Sequence, residues 1–223
     1  MRIFQRGEEG SGRTIERFAR RYARRTGDAS YPQALRALFD EEARHARDLG
    51  RFLDLAGIPR RRLEWSDGIF RLLRHRAGLD GALSALVSAE LIARIYYRAL
   101  LASTASPLLR RLCAQILRDE SQHVRFQCQR LASLRAAAPP LLAAALHVRH
   151  RLLYAGAACV VAWRHRRVLG AANLGGLAFA RRCAAEWRLA SRVLSGKDAG
   201  APARQSFAAY SSARVDSIPS ERR

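Results

Sequence analysis

Lysine is nearly missing from this chain. Lys197 stands alone among 40 Lys and Arg residues, so the positive charge is almost wholly arginine. Acidic residues are also scarce, 19 in 223 positions, which leaves a formal net charge of +21. A surplus of that size invites a nucleic-acid partner or an acidic one. The arginines are nevertheless spread along every predicted helix rather than gathered in one stretch, and strong codon bias in a genome yields the same imbalance. A solvated basic exterior is the simpler account, with RNA or an acidic partner as the alternative.

Other absences exclude whole classes. The four cysteines, Cys113, Cys128, Cys159 and Cys183, contain no CxxC pair, so a zinc ribbon, a rubredoxin-type iron centre and a disulfide framework are all disfavoured. Buried reduced thiols are expected instead. The N-terminus has no apolar run of the signal-peptide kind. The longest apolar stretch, Leu152 to Trp163, covers roughly 12 residues and is too short to span a bilayer. A cytoplasmic protein without a membrane span is expected. Aromatics are only 8% of the chain while hydrophobic residues, chiefly Ala and Leu, make up 49%. That mixture favours helices over sheets. Proline is sparse and falls where helices are expected to start or stop, at Pro32, Pro59, Pro107, Pro139 and Pro140.

The pattern predicts an all-α chain. A first helix from about residue 7 to 26 carries an apolar stripe of Ile15, Phe18, Ala19 and Tyr22 and ends at Gly27. A second runs from a Ser30 cap with Pro32 in its first turn to about Ala56, where Gly57-Ile58-Pro59 stops it. Some twenty residues, with Arg60-Arg61-Arg62 and a short helix near Asp67 to Arg76, lead to a third helix from Leu79 to Ser103. A short turn then opens the fourth at Pro107, which reaches about Arg135. Short, long, short connections make two antiparallel hairpins joined by one crossover, so the second and third helices run parallel. Residues 1–137 thus form a four-helix bundle, and 138–195 an accessory segment packed on it, with helices from about 141 to 169 and 174 to 194. That segment could cap the bundle, form a homodimer face or build an entrance. Residues 196–223 lack apolar periodicity and are expected to be a disordered tail.

Two segments carry the chemistry: Glu41-Glu42-Ala43-Arg44-His45 and Asp119-Glu120-Ser121-Gln122-His123. Each is Glu-x-x-His within a helix, which sets a carboxylate and an imidazole on one face a turn apart. At about 100° per residue, Glu42 falls among Leu35, Leu38 and Leu49 on its helix, Glu120 among Cys113, Ile116 and Val124, and Glu90 among Leu83, Leu86 and Tyr97. The turn between the third and fourth helices centres near residue 105, so Glu90 and Glu120 lie at one height. Unpaired ionised carboxylates on an apolar face are costly, and a pair of divalent ions, iron or manganese, neutralises them economically. The structural alternative is a core polar network in which the glutamates pair with arginines such as Arg94.

This arrangement resembles the di-iron carboxylate proteins of the ferritin-like superfamily, whose pattern is a Glu, about thirty residues, then (Asp/Glu)-Glu-x-Arg-His, used twice. Glu90 with Asp119-Glu120-Ser121-Gln122-His123 resembles the second copy, with Gln122 for the usual Arg. Glu41 to His45 resembles the end of the first. The resemblance covers roughly residues 7 to 135. It implies a ferritin-like bundle with one long crossover and a ligand set of Glu42, His45, Glu90, Glu120 and His123, completed by a glutamate of the first helix. Family spacing points to Glu8 or Glu9, with Glu8 nearer the centre of the stripe. Hairpin height points to Glu16, and Ser11 holds the inward position where a Glu would have fitted. Glu8 is the choice made here. A histidine in both copies resembles the branch that reacts with oxygen or peroxide rather than the iron-storage branch. It implies a non-haem di-iron oxidoreductase with two iron ions, manganese being possible, together with an electron donor and a substrate that the sequence does not name. Leu49 and Gln127, four residues after the two histidines, depart from the radical subunit of ribonucleotide reductase, which has Tyr after its first. Tyr97, one heptad after Glu90, could reach the metals or simply fill core.

Overall fold

The computed structural model describes residues 15–59 and 78–196, and every regular element among them is helical. Residues 15–26 form α1, Tyr31–Leu55 α2, Gly78–Ser103 α3, Pro107–Ala136 α4, Pro140–Arg164 α5, Arg166–Ala171 α6 and Gly176–Leu194 α7. Helix ends follow from local chemistry. Gly27, Gly57 and Gly78 sit at φ of 73°, 65° and 65°, in the left-handed region where a Cβ is penalised. Pro107 opens α4 just after Ser106, whose hydroxyl accepts from the Leu109 N–H at 3.3 Å. Ser30 caps α2 by position only, because its hydroxyl donates to Asp28 instead at 2.7 Å.

Chain directions can be read from side-chain pairs. Glu16 meets Arg36 and Tyr22 meets Tyr31, so α1 and α2 are antiparallel. Glu41 meets His123 while His45 meets Asp119, so α2 and α4 are antiparallel. Asp80 meets Arg135 while Glu90 meets Gln127, so α3 and α4 are antiparallel too. It follows that α2 and α3 run parallel, as a crossover between them requires.

The α3–α4 hairpin is a wall shared by two layers. On one side Ile15, Ala19, Tyr31, Leu35 and Leu38 of α1 and α2 pack against Ala82 and Phe126. On the other, Leu83, Val87, Leu91, Ile95 and Leu131 meet Tyr154, Phe179, Cys183 and Leu194 of the C-terminal helices. Leu35 and Leu38 are fully buried, each stabilising by roughly 1.5–3 kcal/mol. At the far end of α4, Arg130 lies over the Tyr31 ring, 4.1 Å from its centroid, and pairs with Asp28 at 2.8 Å. This cation–π contact pins the α1–α2 turn to the wall.

The C-terminal segment differs from the expected pair of long helices. The first breaks at His165, whose ring meets the Tyr96 ring at 5.4 Å. A short helix follows the break, and Leu169 and Leu174 beyond it join the core. Cys113, Cys128 and Cys183 are buried thiols, but Cys159 is exposed on α5. No helix among the described residues is long and apolar enough to cross a membrane.

Candidate metal centre

The two Glu-x-x-His segments face each other across α2 and α4, and Glu90 joins them from α3. Glu42, Glu90, Glu120 and His123 each offer one ligand atom, and these four atoms lie within 4.8 Å of one another. Burial is deep on the hairpin side, where Glu90, Glu120 and His123 are all buried, while Glu42 is only partly covered.

The two copies support each other reciprocally. The residue before each motif glutamate reaches the imidazole of the opposite copy. Asp119 Oδ2 lies 3.0 Å from His45 Nε2, and Glu41 Oε2 lies 2.9 Å from His123 Nε2. Both imidazoles therefore turn Nδ1 toward the cluster. His123 Nδ1 is 3.0 Å from Glu42 Oε1 and His45 Nδ1 is 3.7 Å from the same oxygen. A carboxylate on the outer nitrogen fixes tautomer and ring orientation, which is how ligating histidines are usually held. Asp119 is itself braced by Arg44, which donates at 2.9 Å.

Several buried atoms are left without a hydrogen bond at this focus: His45 Nδ1, Glu90 Oε2 and Glu120 Oε2. Leaving such atoms unsatisfied costs roughly 1–3 kcal/mol each. Glu90 and Glu120 belong to the four-residue cluster, and its donor set of carboxylate oxygens and an imidazole nitrogen suits divalent iron or manganese.

Electrostatics point the same way. Burial and the neighbouring Glu120 charge push the Glu90 carboxyl well above the usual range. Burial, then Glu42, raises Glu120 to about 8. Burial works against charge on His45, yet the hydrogen bond to Asp119 and the nearby Glu42 carboxylate raise it to about 9. Burial likewise opposes charge on His123, but Glu41 and Glu42 carry it to about 11. Burial would raise Glu42 as well, and a hydrogen bond from His123 with the nearby His45 imidazole instead holds it at about 2. Without cations, two imidazoles and two carboxyls therefore hold protons that a divalent ion could replace.

The expected residues are placed as follows. Glu42, Glu90, Glu120 and His123 come together, and His45 stands at the edge of their cluster. Glu8, Glu9 and Ser11 lie outside the described residues. Glu16 is occupied on the surface, pairing with Arg20 at 2.7 Å and with Arg36. Arg94 does not pair with Glu90: its guanidinium meets Glu186 of α7 at 3.2 Å. Tyr97 is mostly buried, and burial, then the charges of Glu120 and Glu42, raises its phenol. Sequence reasoning missed Glu41, Asp119 and Gln127. Gln127 donates to Glu90 Oε1 at 2.5 Å from one turn beyond His123. The signal for Glu41 and Asp119 was present, an acidic residue just before the glutamate in both copies. Gln127 has no such signal. No protein-family model, curated protein or solved structure matches the chain.

Proposed function

We propose that this chain is a ferritin-like di-metal carboxylate protein, an oxidoreductase that uses two iron ions, or manganese, to oxidise a substrate with oxygen or peroxide. The observation that carries the reading is the reciprocal pairing of the two copies. A core polar network leaves few buried atoms unsatisfied. Here each imidazole has a carboxylate at Nε2, and although His123 Nδ1 meets Glu42 at 3.0 Å, His45 Nδ1, Glu90 Oε2 and Glu120 Oε2 are buried without a hydrogen bond. His123, Glu120 and Glu90 would hold one ion and His45 the other, with Glu42 between the imidazoles. A glutamate N-terminal to the described residues, Glu8 by the family's spacing, would complete the second.

The ions would supply the redox chemistry. The residues of the chain do the rest. Asp119 and Glu41 keep the imidazoles oriented, Gln127 holds one oxygen of Glu90, and burial against Val124 and the hairpin excludes water from the α3–α4 side. Approach is left open on the α2 side, where Glu42 is a third exposed.

Metal analysis of freshly purified protein and anaerobic titration with ferrous iron test the proposal. About two ions per chain are expected for this ligand pattern, together with oxygen or peroxide consumption by the loaded protein. Saturation at one ion would point to an incomplete second position. Saturation at zero would leave a metal-free helical protein whose basic surface recruits RNA or an acidic partner.

A further inference from the structure

Among the described residues nothing covers the outer face of α5, although it is apolar along the whole helix. Leu141, Ala145, Val148, Leu152, Gly156, Cys159 and Trp163 are all exposed, and none carries charge. Leu141 is 88% exposed, Leu152 68%, Trp163 64% and Val148 56%. At about 100° per residue all seven fall within roughly 40° of Leu152, so they form one narrow stripe down a helix of 25 residues.

We propose that this stripe is the interface of a two-fold homodimer in which α5 packs antiparallel against α5 of a second copy, with Leu152 on the axis. Three observations support the occupant. The first is spacing. Three stripe positions precede Leu152 and three follow it, at matching distances along the chain, so a two-fold axis pairs Val148 with Gly156, Ala145 with Cys159 and Leu141 with Trp163 of the partner. Such a patch can be self-complementary, as an isologous dimer requires.

The second is Gly156. It lies inside a helix, where glycine is less favourable than alanine by roughly 1 kcal/mol. A Cβ built there meets nothing within 4 Å, so nothing among the described residues calls for its small size. Opposite the Val148 of a second copy the missing side chain becomes a notch that lets two helices approach closely.

The third is area. The large side chains of the face leave on the order of 600 Å² of apolar surface in water, at the top of the range for a monomer. Two copies would bury roughly 1,200 Å², the lower bound of a specific interface. Charge does not drive the association, since α5 has no acidic residue. Arg149 is already taken by Asp80 at 2.7 Å, so part of the repulsion is relieved.

Sedimentation of the full chain across concentration and salt tests the proposal. The wild type should dimerise, more tightly as salt screens the like charges. Leu152→Glu should give monomers with unchanged helix content. Gly156→Leu should also lose the dimer, while its monomer melts no lower than the wild type because the helix gains propensity. Leu152→Cys in a Cys159→Ala background should form a disulfide dimer on mild oxidation. The native Cys159 pair should not, since an antiparallel pairing separates them by roughly 21 Å along the helix. A wild type that remains monomeric, a dimer indifferent to Leu152→Glu, or ready Cys159 cross-linking, which signals parallel packing, would overturn it. So would a monomer that binds anionic vesicles through this face and is released by salt.

Discussion

The two Glu-x-x-His copies are alike in sequence and unlike in setting. On α4, Asp119 and His123 are 0% exposed and Glu120 is 4% exposed, because α4 belongs to the wall covered from both sides. On α2, Glu41 is 15% and Glu42 34% exposed, because α2 is an outer helix. The same motif therefore yields a closed half and an open half. In the proposed metal centre the closed half would set geometry, and the open half would leave the side of approach. Arg44 of the open copy braces Asp119 of the closed one, whereas Gln122, at the matching position of α4, is exposed.

The largest test of that asymmetry is removal of each imidazole. His123→Ala should abolish metal binding, since His123 belongs to the tight cluster and touches Glu42 and Glu41. His45→Ala should lose one ion and keep the other. Elemental analysis after ferrous loading distinguishes these outcomes, and equal loss from both variants would mean that the two halves are equivalent.

Next in size is the coupling to protons. His45, at about 9, His123, at about 11, and Glu120, at about 8, hold protons at neutral pH, as does Glu90. Metal loading must displace them, so apparent affinity should rise roughly tenfold to a hundredfold per pH unit between pH 6 and 8. Proton release on adding ferrous iron, followed calorimetrically in buffers of different ionisation enthalpy, measures it. The metal-free protein should show a related trend. His45 and Glu120 have raised values when folded, so their stabilisation is complete below the unfolded values of 6.5 and 4.5 and is lost as pH rises through about 9 and 8. Glu42, held at about 2, acts in the opposite sense, and its contribution disappears only in acid. Thermal melts with chelator should therefore fall from pH 6 to pH 9.

The supporting carboxylates come third. Asp119→Asn should weaken metal binding roughly 10- to 100-fold, the usual effect of removing such a partner. Glu41→Gln should cost less, because its open position lets water replace it.

How much of this was legible depends on the kind of contact. The helices α2, α3 and α4 could be read because glycine, proline and apolar period mark their ends and faces. Connection lengths gave the parallel run of α2 and α3 for the same reason. Glu42, Glu90, Glu120 and His123 were legible because a charged residue in the middle of an apolar stripe has few explanations. The unequal burial of the two copies was not legible, since it depends on α5 and α7 covering the hairpin, and helix phase says nothing about which neighbour lies outside. The Arg94–Glu186 pair was missed for the same reason: its partner is 92 residues away, and nothing in local pattern selects it over Glu90. The break at His165 also escaped, because no Gly or Pro marks it.

The smallest effect concerns stability without metal and separates a ligand from a structural strut. In the metal-free protein Glu90 is buried, kept neutral by its surroundings, and satisfied on one oxygen only, by Gln127. Replacing it with Leu removes a polar group from an apolar face, and replacements of buried charge by apolar side chains are neutral or stabilising by roughly 1–4 kcal/mol. The change also deprives the Gln127 amide of its acceptor, at a cost of roughly 1–3 kcal/mol. The single variant should therefore lie within about 2 kcal/mol of the wild type, and Glu90→Leu with Gln127→Leu should be the more stable of the two. The change does not strand Arg94, which is held by Glu186. Glu42→Leu should behave differently. It removes the carboxylate that faces both imidazoles, destabilising the metal-free fold by roughly 1–2 kcal/mol after allowance for its exposure. Added ferrous iron should raise the melting temperature of the wild type, because binding to the folded state alone is what produces such a gain, and should leave both Glu90 variants unmoved or nearly so. If Glu90 is instead part of a structural network, Glu90→Leu will melt well below the wild type in chelator, the double variant will not recover, and iron will shift neither protein.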